Sequence, residues 1–321
     1  MQNDSALTPR QRNILEHLID FGGERPVFAP DLAGRLRERL ESGLEPLVAA
    51  RGPDERQWRL TKRVLTEVRT CEGLHVARRE EPFEWSTAIA RGSLAHRAIE
   101  RLLIDVRARH PLEQARVTVE RAGGGDDELA AFVSGLDDDD RADLVRDVSN
   151  ASVEFLSQWP PIPPAWAPRV EVPVRAELCH GRVVLKGVYD LALGRPHGSE
   201  ARVLIVDFKS GKIHPDHLDE LRFYALVETL RAEVPPYRVA AYSLEGAGFK
   251  VEVVREEMLH GVVDWVVEGA TALAELARRD REPRLSPSPL CTYCPATAAG
   301  TCEPGRDFLD GHVLPVRTGE R

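Results

Sequence analysis

The sequence contains no long apolar segment. No run approaches the roughly 20 residues that a helix needs to cross a bilayer. The first residues, 1–5, also lack the basic segment followed by an apolar one that is typical of a secretion signal. From these two absences we expect a cytoplasmic protein that has no membrane partner.

Positive charge is also scarce. The chain has 43 Lys and Arg against 52 Asp and Glu, a formal net charge of −9. This balance argues against indiscriminate nucleic-acid binding, which depends on clustered basic side chains that release counterions. Many of the acids fall at 126–128 and 137–140, inside a segment at about 121–140 that we predict to be an exposed acidic connector. A local basic groove is still compatible with the sequence near seven residues: Arg91, Arg97, Arg101, Lys186, Lys209, Lys212 and Arg222.

Two further patterns are missing. The chain has no Gly-x-x-x-x-Gly-Lys-Ser/Thr loop, so any unwinding of nucleic acid would require a partner such as a helicase. It also has no internal repeat at the period of a solenoid. At 321 residues it is long enough for one large domain with an appendage.

The pattern of apolar residues predicts an α/β fold. Helical periodicity is found at 11–21, 31–41, 59–70, 93–110, 141–159, 256–279 and from Pro215 onward. Residues typical of strands are found at 169–178, 182–193, 202–209, 237–244 and 249–254. This order predicts one mixed sheet flanked by helices, in which strand ends can meet at a cleft.

Two carboxylates stand where buried strands are predicted. Asp190 follows the apolar run 183–185, and Asp207 follows the run 203–206, with Lys209 two residues beyond. An unpaired charge in such a place is costly. The loop between them, 194–199, is rich in turn formers and predicts a hairpin that brings both acids together. A divalent cation held by both acids beside Lys209 would suit phosphodiester cleavage, whereas a simple ion pair between Asp207 and Lys209 is the alternative.

The order of these motifs resembles the RecB-like branch of the PD-(D/E)XK nucleases. The resemblance spans about Cys71 to Cys302 and includes His96 on a helix, Gly187-x-x-Asp190 and Asp207-x-Lys209-Ser-Gly. It implies a restriction-endonuclease-like fold and metal-dependent hydrolysis of DNA. It also implies roles for individual residues: Mg²⁺ or Mn²⁺ bound by His96, Asp190, Asp207 and the main-chain carbonyl of Phe208, and an attacking water positioned by Lys209.

The chain departs from the family at one position. The family has Gln followed four residues later by Tyr, and this pair helps to hold DNA, whereas the chain has Glu220 and Tyr224. A carboxylate accepts hydrogen bonds but does not donate them, and it repels phosphate. The substrate-binding role of Glu220 is therefore weakened, while that of Tyr224 is kept.

Other residues near these motifs admit two interpretations. A lone histidine on an apolar helix is more often a core residue than a ligand, and only the order of the motifs favours a ligand for His96. Glu100, one turn later, could orient His96 or hold water around a metal. Glu171 is a further acid that either reaches the site or lies on the surface.

Three of the five cysteines have metal-ligand spacing. Cys291, Cys294 and Cys302 lie within twelve residues, and a tetrahedral zinc or a four-iron cluster requires a fourth thiolate from Cys71 or Cys179. RecB-like nucleases that carry an iron–sulfur cluster, including the AddB type and those of CRISPR spacer acquisition, have one cysteine before the nuclease domain and three after it. This resemblance implies a [4Fe–4S] cluster on Cys71 and the C-terminal three, with Zn²⁺ as the alternative. Cys179 is then an ordinary buried thiol.

From these observations we predict three regions: a helical N-terminal region at 1–70, a nuclease domain with a cysteine clasp at 71–310, and a tail at 311–321. The expected function is a deoxyribonuclease, taken to be an exonuclease of repair or recombination, that acts on DNA with single-stranded regions or ends. A helicase or repair protein would be its partner. The alternatives are a non-catalytic DNA-binding or scaffolding protein, a CRISPR-adaptation nuclease, and a nuclease that cleaves RNA.

Overall fold

The computed structural model describes residues 7–20, 22–52, 55–80, 84–104, 110–125, 127–246 and 248–311. The strands are β1 (Trp58–Leu60), β2 (Arg169–Leu178), β3 (Val183–Leu193), β4 (Leu204–Lys209), β5 (Arg238–Ser243) and β6 (Phe249–Val253). The first helices are α1 (Pro9–Asn13), which continues as a π-helical segment (Ile14–Ile19), α2 (Leu32–Ala49), α3 (Lys62–Thr70), α4 (Glu72–Glu80), α5 (Thr87–Ile104) and α6 (Pro111–Gly123). They are followed by α7 (Glu128–Ser134), α8 (Asp138–Gln158), α9 (Asp216–Ala232), α10 (Glu256–Arg278), α11 (Pro295–Ala298) and α12 (Glu303–Gly311). Short 3₁₀ segments lie at Pro164–Trp166 and Pro289–Tyr293.

The strands form one mixed sheet. Its six strands run in the order β1-β3-β4-β5-β6, and β2 pairs with β3 outside this path. β1 pairs with β3, and β4 with β5, in parallel, whereas β3 with β4 and β5 with β6 are antiparallel. The predicted α/β fold, a mixed sheet flanked by helices, is therefore confirmed.

The chain divides into two compact units that interleave along the sequence. The first unit contains residues 1–36, 84–176 and 187–262, and the second unit contains 37–83, 177–186 and 263–321. The regions predicted from the sequence, with boundaries near residues 70 and 310, remain a prediction.

An aromatic cluster forms much of the core of the first unit. Phe208 of β4 lies beside Tyr242 of β5 in the sheet, and both rings pack against Phe155 and Trp159 of α8. Ring centroids in this cluster lie 4.9 Å apart for Trp159 and Tyr242 and 5.3 Å apart for Phe155 and Phe208. Since side chains alternate along a strand, the anchored Phe208 directs its neighbours Asp207 and Lys209 to the other face of the sheet.

The predicted acidic connector is helical over much of its length. Asp127 caps α7 and Asp137 caps α8, each accepting a hydrogen bond from a backbone N–H at 2.8 Å. The face of α7 that contains Leu129 and Val133 is buried. Acidic side chains stabilise the first turn of a helix, so these runs mark helix starts as well as solvent exposure.

Several other elements differ from the prediction, including α2, which extends to Ala49, and α5, which begins at Thr87. Arg59 belongs to β1, and the helix predicted from it begins three residues later. The helix predicted to reach His110 is described to Ile104, since 105–109 lie outside the described residues, and His110 caps α6. The short helix α4 had not been predicted. Among the described residues, no helix combines the length and the apolar character needed to cross a bilayer.

Candidate active site and cysteine cavity

The end of the β3–β4 pair positions the two predicted carboxylates. Leu191 pairs with Val206, so Asp190 and Asp207 occupy the next positions on their strands. Asp190 is 8% exposed and Asp207 is 5% exposed. The backbone N–H of Phe208 donates a hydrogen bond to Oδ2 of Asp190, which fixes this carboxylate against the neighbouring strand. The structure therefore brings the two acids together, as the hairpin prediction required.

His96 lies against Asp190. Its Nδ1 is 3.3 Å from Oδ1 of Asp190, and its ring packs edge-on to Phe208. Burial alone would lower the pKa of His96, but the hydrogen bond and the charge of Asp190, with that of Asp207, raise it above its ordinary value. Burial raises the pKa of Asp190, and the charge of Asp207 adds to this, against the opposing effect of His96. The imidazole thus serves as a partner of Asp190 in this structure.

Lys209 joins two carboxylates. Its Nζ lies 2.7 Å from Oδ2 of Asp207 and 2.7 Å from Oε2 of Glu220 on α9. The ion pair between Asp207 and Lys209, which the sequence allowed as a simple strand-end pair, is therefore present and is extended by Glu220. The residue that departs from the family pattern contacts the lysine that the resemblance identifies as catalytic.

Tyr224, one helical turn after Glu220, is 2% exposed. It packs against β3, where a Cβ at Gly187 would lie 2.5 Å from its ring. Burial, together with the charges of Asp207 and Glu220, raises the pKa of its phenol, which keeps the hydroxyl protonated. Tyr224 therefore belongs to the packing behind the carboxylates, and its predicted contact with DNA remains a prediction.

A cleft of about 720 Å³ opens beside His96 in the first unit. It is also lined by Arg97, Glu100, Glu171 and Ser210. Glu100 and Glu171 share a hydrogen bond; burial, together with that bond and the charge of Glu171, raises the pKa of Glu100 to about 9. The sequence had left open whether Glu171 reaches the site, and the structure places it in the cleft. Because Glu100 keeps its proton at neutral pH, Glu171 is the acid of this pair that would repel a phosphate, and a bound cation would offset that repulsion.

The seven basic residues do not form one free basic groove. Arg97 lines the cleft, but Arg91 lies 3.7 Å from Asp147, and Arg222 is paired with Asp219 and Glu252. Sequence reasoning also missed His217, whose pKa is lowered by burial and by the nearby charge of Lys209. His217 precedes Glu220 by three residues on the first turn of α9, a spacing that could have indicated a shared helix face.

The donor types in this candidate active site suit a hard divalent cation. Asp207 and Glu220 contact Lys209, and Asp190 contacts His96; carboxylate oxygens with one imidazole are suitable ligands for Mg²⁺ or Mn²⁺. In the part of the chain that the structure describes, however, no group of three or more His, Cys, Asp or Glu is arranged to hold a metal ion. The carboxylates of the site are instead joined to the protein donors His96, Lys209 and the N–H of Phe208.

Four cysteines line one small cavity of the second unit, which we call the cysteine cavity. Its volume is about 140 Å³, and the four residues are Cys71, Cys291, Cys294 and Cys302. Backbone N–H groups of Ser286 and Ser288 lie 3.5 Å from Sγ of Cys71 and 3.4 Å from Sγ of Cys291. All five cysteines of the chain are described and free of disulfides. The resemblance had selected these four cysteines, and the structure places them on one cavity.

Small residues let the backbone approach this sulfur-lined space. A Cβ at Gly305 would lie 3.2 Å from Sγ of Cys302, 3.5 Å from Sγ of Cys291 and 2.6 Å from Oγ1 of Thr297. Cys179 lies outside the lining of the cavity, and its Sγ is 3.8 Å from the carbonyl oxygen of Glu41. Burial raises the pKa of the Cys179 thiol, as expected for an inert cysteine.

Comparison with known proteins gives the family. A model described as the PD-(D/E)XK nuclease superfamily matches residues 59–299. A crystal structure from Eubacterium rectale, provisionally named an exonuclease, has a TM-score of 0.43 and 10% identity, covering 79% of this chain and 93% of its own. The crystal structure of SSO0001 has a TM-score of 0.35 and 11% identity, covering 84% and 95%. No curated protein matches the chain significantly. Since the family model matches well over half of the sequence, the chain belongs to the PD-(D/E)XK nuclease superfamily.

Proposed function

We propose that this protein is a metal-dependent DNA nuclease of the RecB-like branch, with its centre at Asp190, Asp207, Lys209 and His96. The observation that carries the proposal is the meeting of two buried carboxylates with a histidine and a lysine at the end of the β3–β4 pair. Such a cluster is costly for folding unless it serves a ligand. A fold of the nuclease superfamily makes a phosphodiester the best candidate for what is bound and cut.

Each side chain has a defined part in this proposal. Asp190, Asp207 and His96, with the carbonyl of Phe208, would hold Mg²⁺ or Mn²⁺. The cation would supply Lewis-acid stabilisation of the charge that develops on the phosphate. The ammonium of Lys209 positions the attacking water or stabilises the same charge.

The cleft beside His96 offers donors for phosphate oxygens. Arg97 and Ser210 line it, while the carboxylate of Glu171 disfavours phosphate in the absence of a cation. From the resemblance to the RecB-like nucleases we propose DNA with ends or single-stranded regions as the substrate, an exonuclease mode, and repair or recombination with a helicase or repair partner as the setting.

The test is cleavage of linear and circular DNA, single- and double-stranded, with Mg²⁺, Mn²⁺ or a chelator. We expect metal-dependent loss of linear DNA, no cleavage by Asp207→Asn, and full cleavage by the control Asp143→Asn, which alters an exposed acid on α8. Undiminished cleavage by Asp207→Asn would contradict the proposal. Shifted but intact DNA in every metal would instead indicate a non-catalytic DNA-binding protein, and selective loss of an RNA strand would indicate a ribonuclease.

We further propose that the cysteine cavity holds a [4Fe–4S] cluster, as in the AddB-type nucleases and the nucleases of CRISPR adaptation. Four thiols on one cavity and two N–H groups directed at sulfur support this assignment. Zn²⁺ requires the same four ligands and is the alternative. The cluster would connect Cys71 with the segment 291–302 and would thereby stabilise the second unit.

A further inference from the structure

The second unit contains a larger groove that the proposed chemistry does not use. It has a volume of about 1150 Å³ and lies between the start of β1, α4 and the C-terminal end of α10. We call it the arginine groove because six arginines line it: Arg51, Arg56, Arg59, Arg79, Arg279 and Arg281. Two acids, Glu55 and Glu282, are the only carboxylates in the same lining of described residues. In a chain with a net charge of −9, this is a strong local excess of positive charge.

Internal contacts account for two of the six arginines. Arg281 is held by Glu72 and Glu275, each at 2.7 Å. Arg51 stacks on the ring of Trp58, with its guanidinium 3.5 Å from the ring centroid. These two side chains therefore help to build the wall of the groove.

Internal contacts do not account for the other four. Arg56, Arg59, Arg79 and Arg279 are exposed, and none of them forms an ion pair with a residue in the described ranges. Burial lowers the pKa of Arg51, and the positive charge of Arg79 lowers it further against the opposing effect of Glu55. Six arginines beside only two acids in this lining repel one another, and a bound anion would offset the cost in free energy.

The shape and chemistry of the arginine groove indicate the kind of anion. Guanidinium groups pair with phosphate oxygens through two parallel hydrogen bonds, and four of them spread along a groove suit a polymer of phosphates. Trp58 is 7% exposed, so it offers no ring face for a base, and its Nε1 has no hydrogen-bond partner in the described structure. A site of this composition would read the backbone and not the bases.

We infer that the arginine groove binds the phosphate backbone of a single nucleic-acid strand. The choice of a nucleic acid over other polyanions rests on the proposed function, because a nuclease handles such strands. We take a single strand as the occupant because it presents one line of phosphates to the four guanidinium groups of one groove. Binding there would be independent of sequence and sensitive to salt.

The test separates binding from cleavage. In an Asp207→Asn background and in chelator, fluorescence anisotropy measures the affinity for a labelled single-stranded oligonucleotide. The groove variant combines Arg56→Gln, Arg59→Gln, Arg79→Gln and Arg279→Gln. The matched control removes the same charge from exposed arginines of the first unit: Arg116→Gln, Arg121→Gln, Arg195→Gln and Arg255→Gln. Circular dichroism and thermal unfolding verify that both variants are folded.

We expect the groove variant to lose affinity about tenfold or more at ~0.1 M salt and to reduce the slope of log K against log salt by about 3, since each phosphate contact on a single strand contributes about 0.7. The control should lose less than the groove variant at every salt concentration. Equal losses in both, or unchanged affinity in the groove variant, would overturn the inference. It would also be overturned if poly-glutamate displaced the oligonucleotide as well as unlabelled DNA of equal charge does, because the partner would then be an acidic protein.

Cleavage assays distinguish a failure of the proposed nuclease activity from a failure of the groove inference. With an intact Asp207, the groove variant should cleave at the parent rate when DNA is saturating and should require more DNA to reach that rate. If neither protein cleaves DNA, the proposed nuclease activity fails while the anisotropy result still decides the groove. If both cleave with the same DNA dependence, the groove inference fails and the activity stands.

Discussion

The candidate active site and the cysteine cavity differ in how the protein compensates side chains that could bind a metal. In the first unit, carboxylates are already compensated by protein cations: Lys209 contacts Asp207 and Glu220, and His96 contacts Asp190. In the second unit, four thiols line one small cavity, and within the described ranges only backbone N–H groups donate hydrogen bonds to their sulfur atoms. A site whose carboxylates are already paired with protein cations can form before a metal binds. Thiols without such partners gain strong bonds only when they coordinate a metal.

Under the proposed assignments, the metal would assist the reaction in the first unit and would be a structural element in the second. Removing metal should therefore abolish activity through the first unit and reduce stability through the second. The following predictions test that division.

The largest effect is expected for Lys209→Ala. It removes the positive charge between Asp207 and Glu220, and with it the group that stabilises charge on the phosphate. We expect the cleavage rate to fall at least about a hundredfold. Single-turnover cleavage of linear DNA measures this loss, with the exposed neighbour changed in Lys212→Ala as the control. A rate within a few-fold of the parent would remove Lys209 from the mechanism.

Loss of a cysteine ligand should unfold, or nearly unfold, the second unit. Because structural metal sites contribute several kcal/mol to folding, Cys302→Ser should lower Tm by more than about 10 °C. Metal analysis and the absorbance near about 400 nm of anaerobically purified protein distinguish iron–sulfur from zinc. The control is Cys179→Ser, which lies outside the cavity. Equal metal content and equal Tm in the two variants would contradict the assignment.

Glu67, a buried acid of the second unit, should make the folded state less stable at low pH. Although burial alone would raise the pKa of Glu67, His75 at 3.7 Å and the hydrogen bonds that Glu67 accepts from Arg63 and Arg78 lower it to about 2. The folded pKa lies below the unfolded value, so Glu67 stabilises the protein above about pH 4.5, by about 3 kcal/mol, and this stabilisation is lost as pH falls towards 2. Chemical unfolding of Glu67→Gln at several pH values should give a smaller loss of stability with acid than in the parent. Parallel curves would contradict this.

Glu100 in the first unit should make folding stability change with pH in the opposite direction. Burial and Glu171 raise the pKa of Glu100 to about 9, above its value in the unfolded chain. The folded state therefore binds the proton more tightly, and stability falls as pH rises from about 4.5 to 9. Glu100→Gln should be more stable than the parent by at least about 1 kcal/mol at pH 8, with little difference at pH 4. An equal difference at both pH values would show that the pKa of Glu100 is not raised in the folded state.

The smallest effect is expected for Glu220→Gln. The change restores the amide that the family carries at this position and removes one of two carboxylates around Lys209. Because Asp207 still holds the lysine, the rate should change by less than about tenfold. In a Lys209→Ala background the same change should have no further effect on the rate. Additive losses would show that Glu220 acts without Lys209.

Strand patterns were sufficient to predict where the acids meet. Asp190 and Asp207 interrupt apolar runs joined by a turn-rich loop, so their meeting follows from local signals and one hairpin. The resemblance then added His96, whose position on α5 no local rule could have connected with a strand about a hundred residues later. The match to the family model confirms the superfamily, while the assigned roles remain proposals.

Features that bring together residues distant in the sequence could not be predicted from sequence patterns. The pair of Glu100 and Glu171 joins α5 with β2, and the arginine groove collects side chains from Arg51 to Arg281. Neither has a short motif. The helix α7 was missed for a different reason, because its acidic start resembles a solvated loop until Asp127 is recognised as a cap.

Gly187 shows how little room for change the site leaves. Its missing side chain lets the ring of Tyr224 rest on β3, where an alanine would bring its Cβ within 2.5 Å of that ring. A single methyl group would therefore have to displace either the helix that supplies Glu220 or the strand that supplies Asp190. The proposed activity could therefore be lost in the course of evolution through this glycine, without any change to the residues assigned to cleavage.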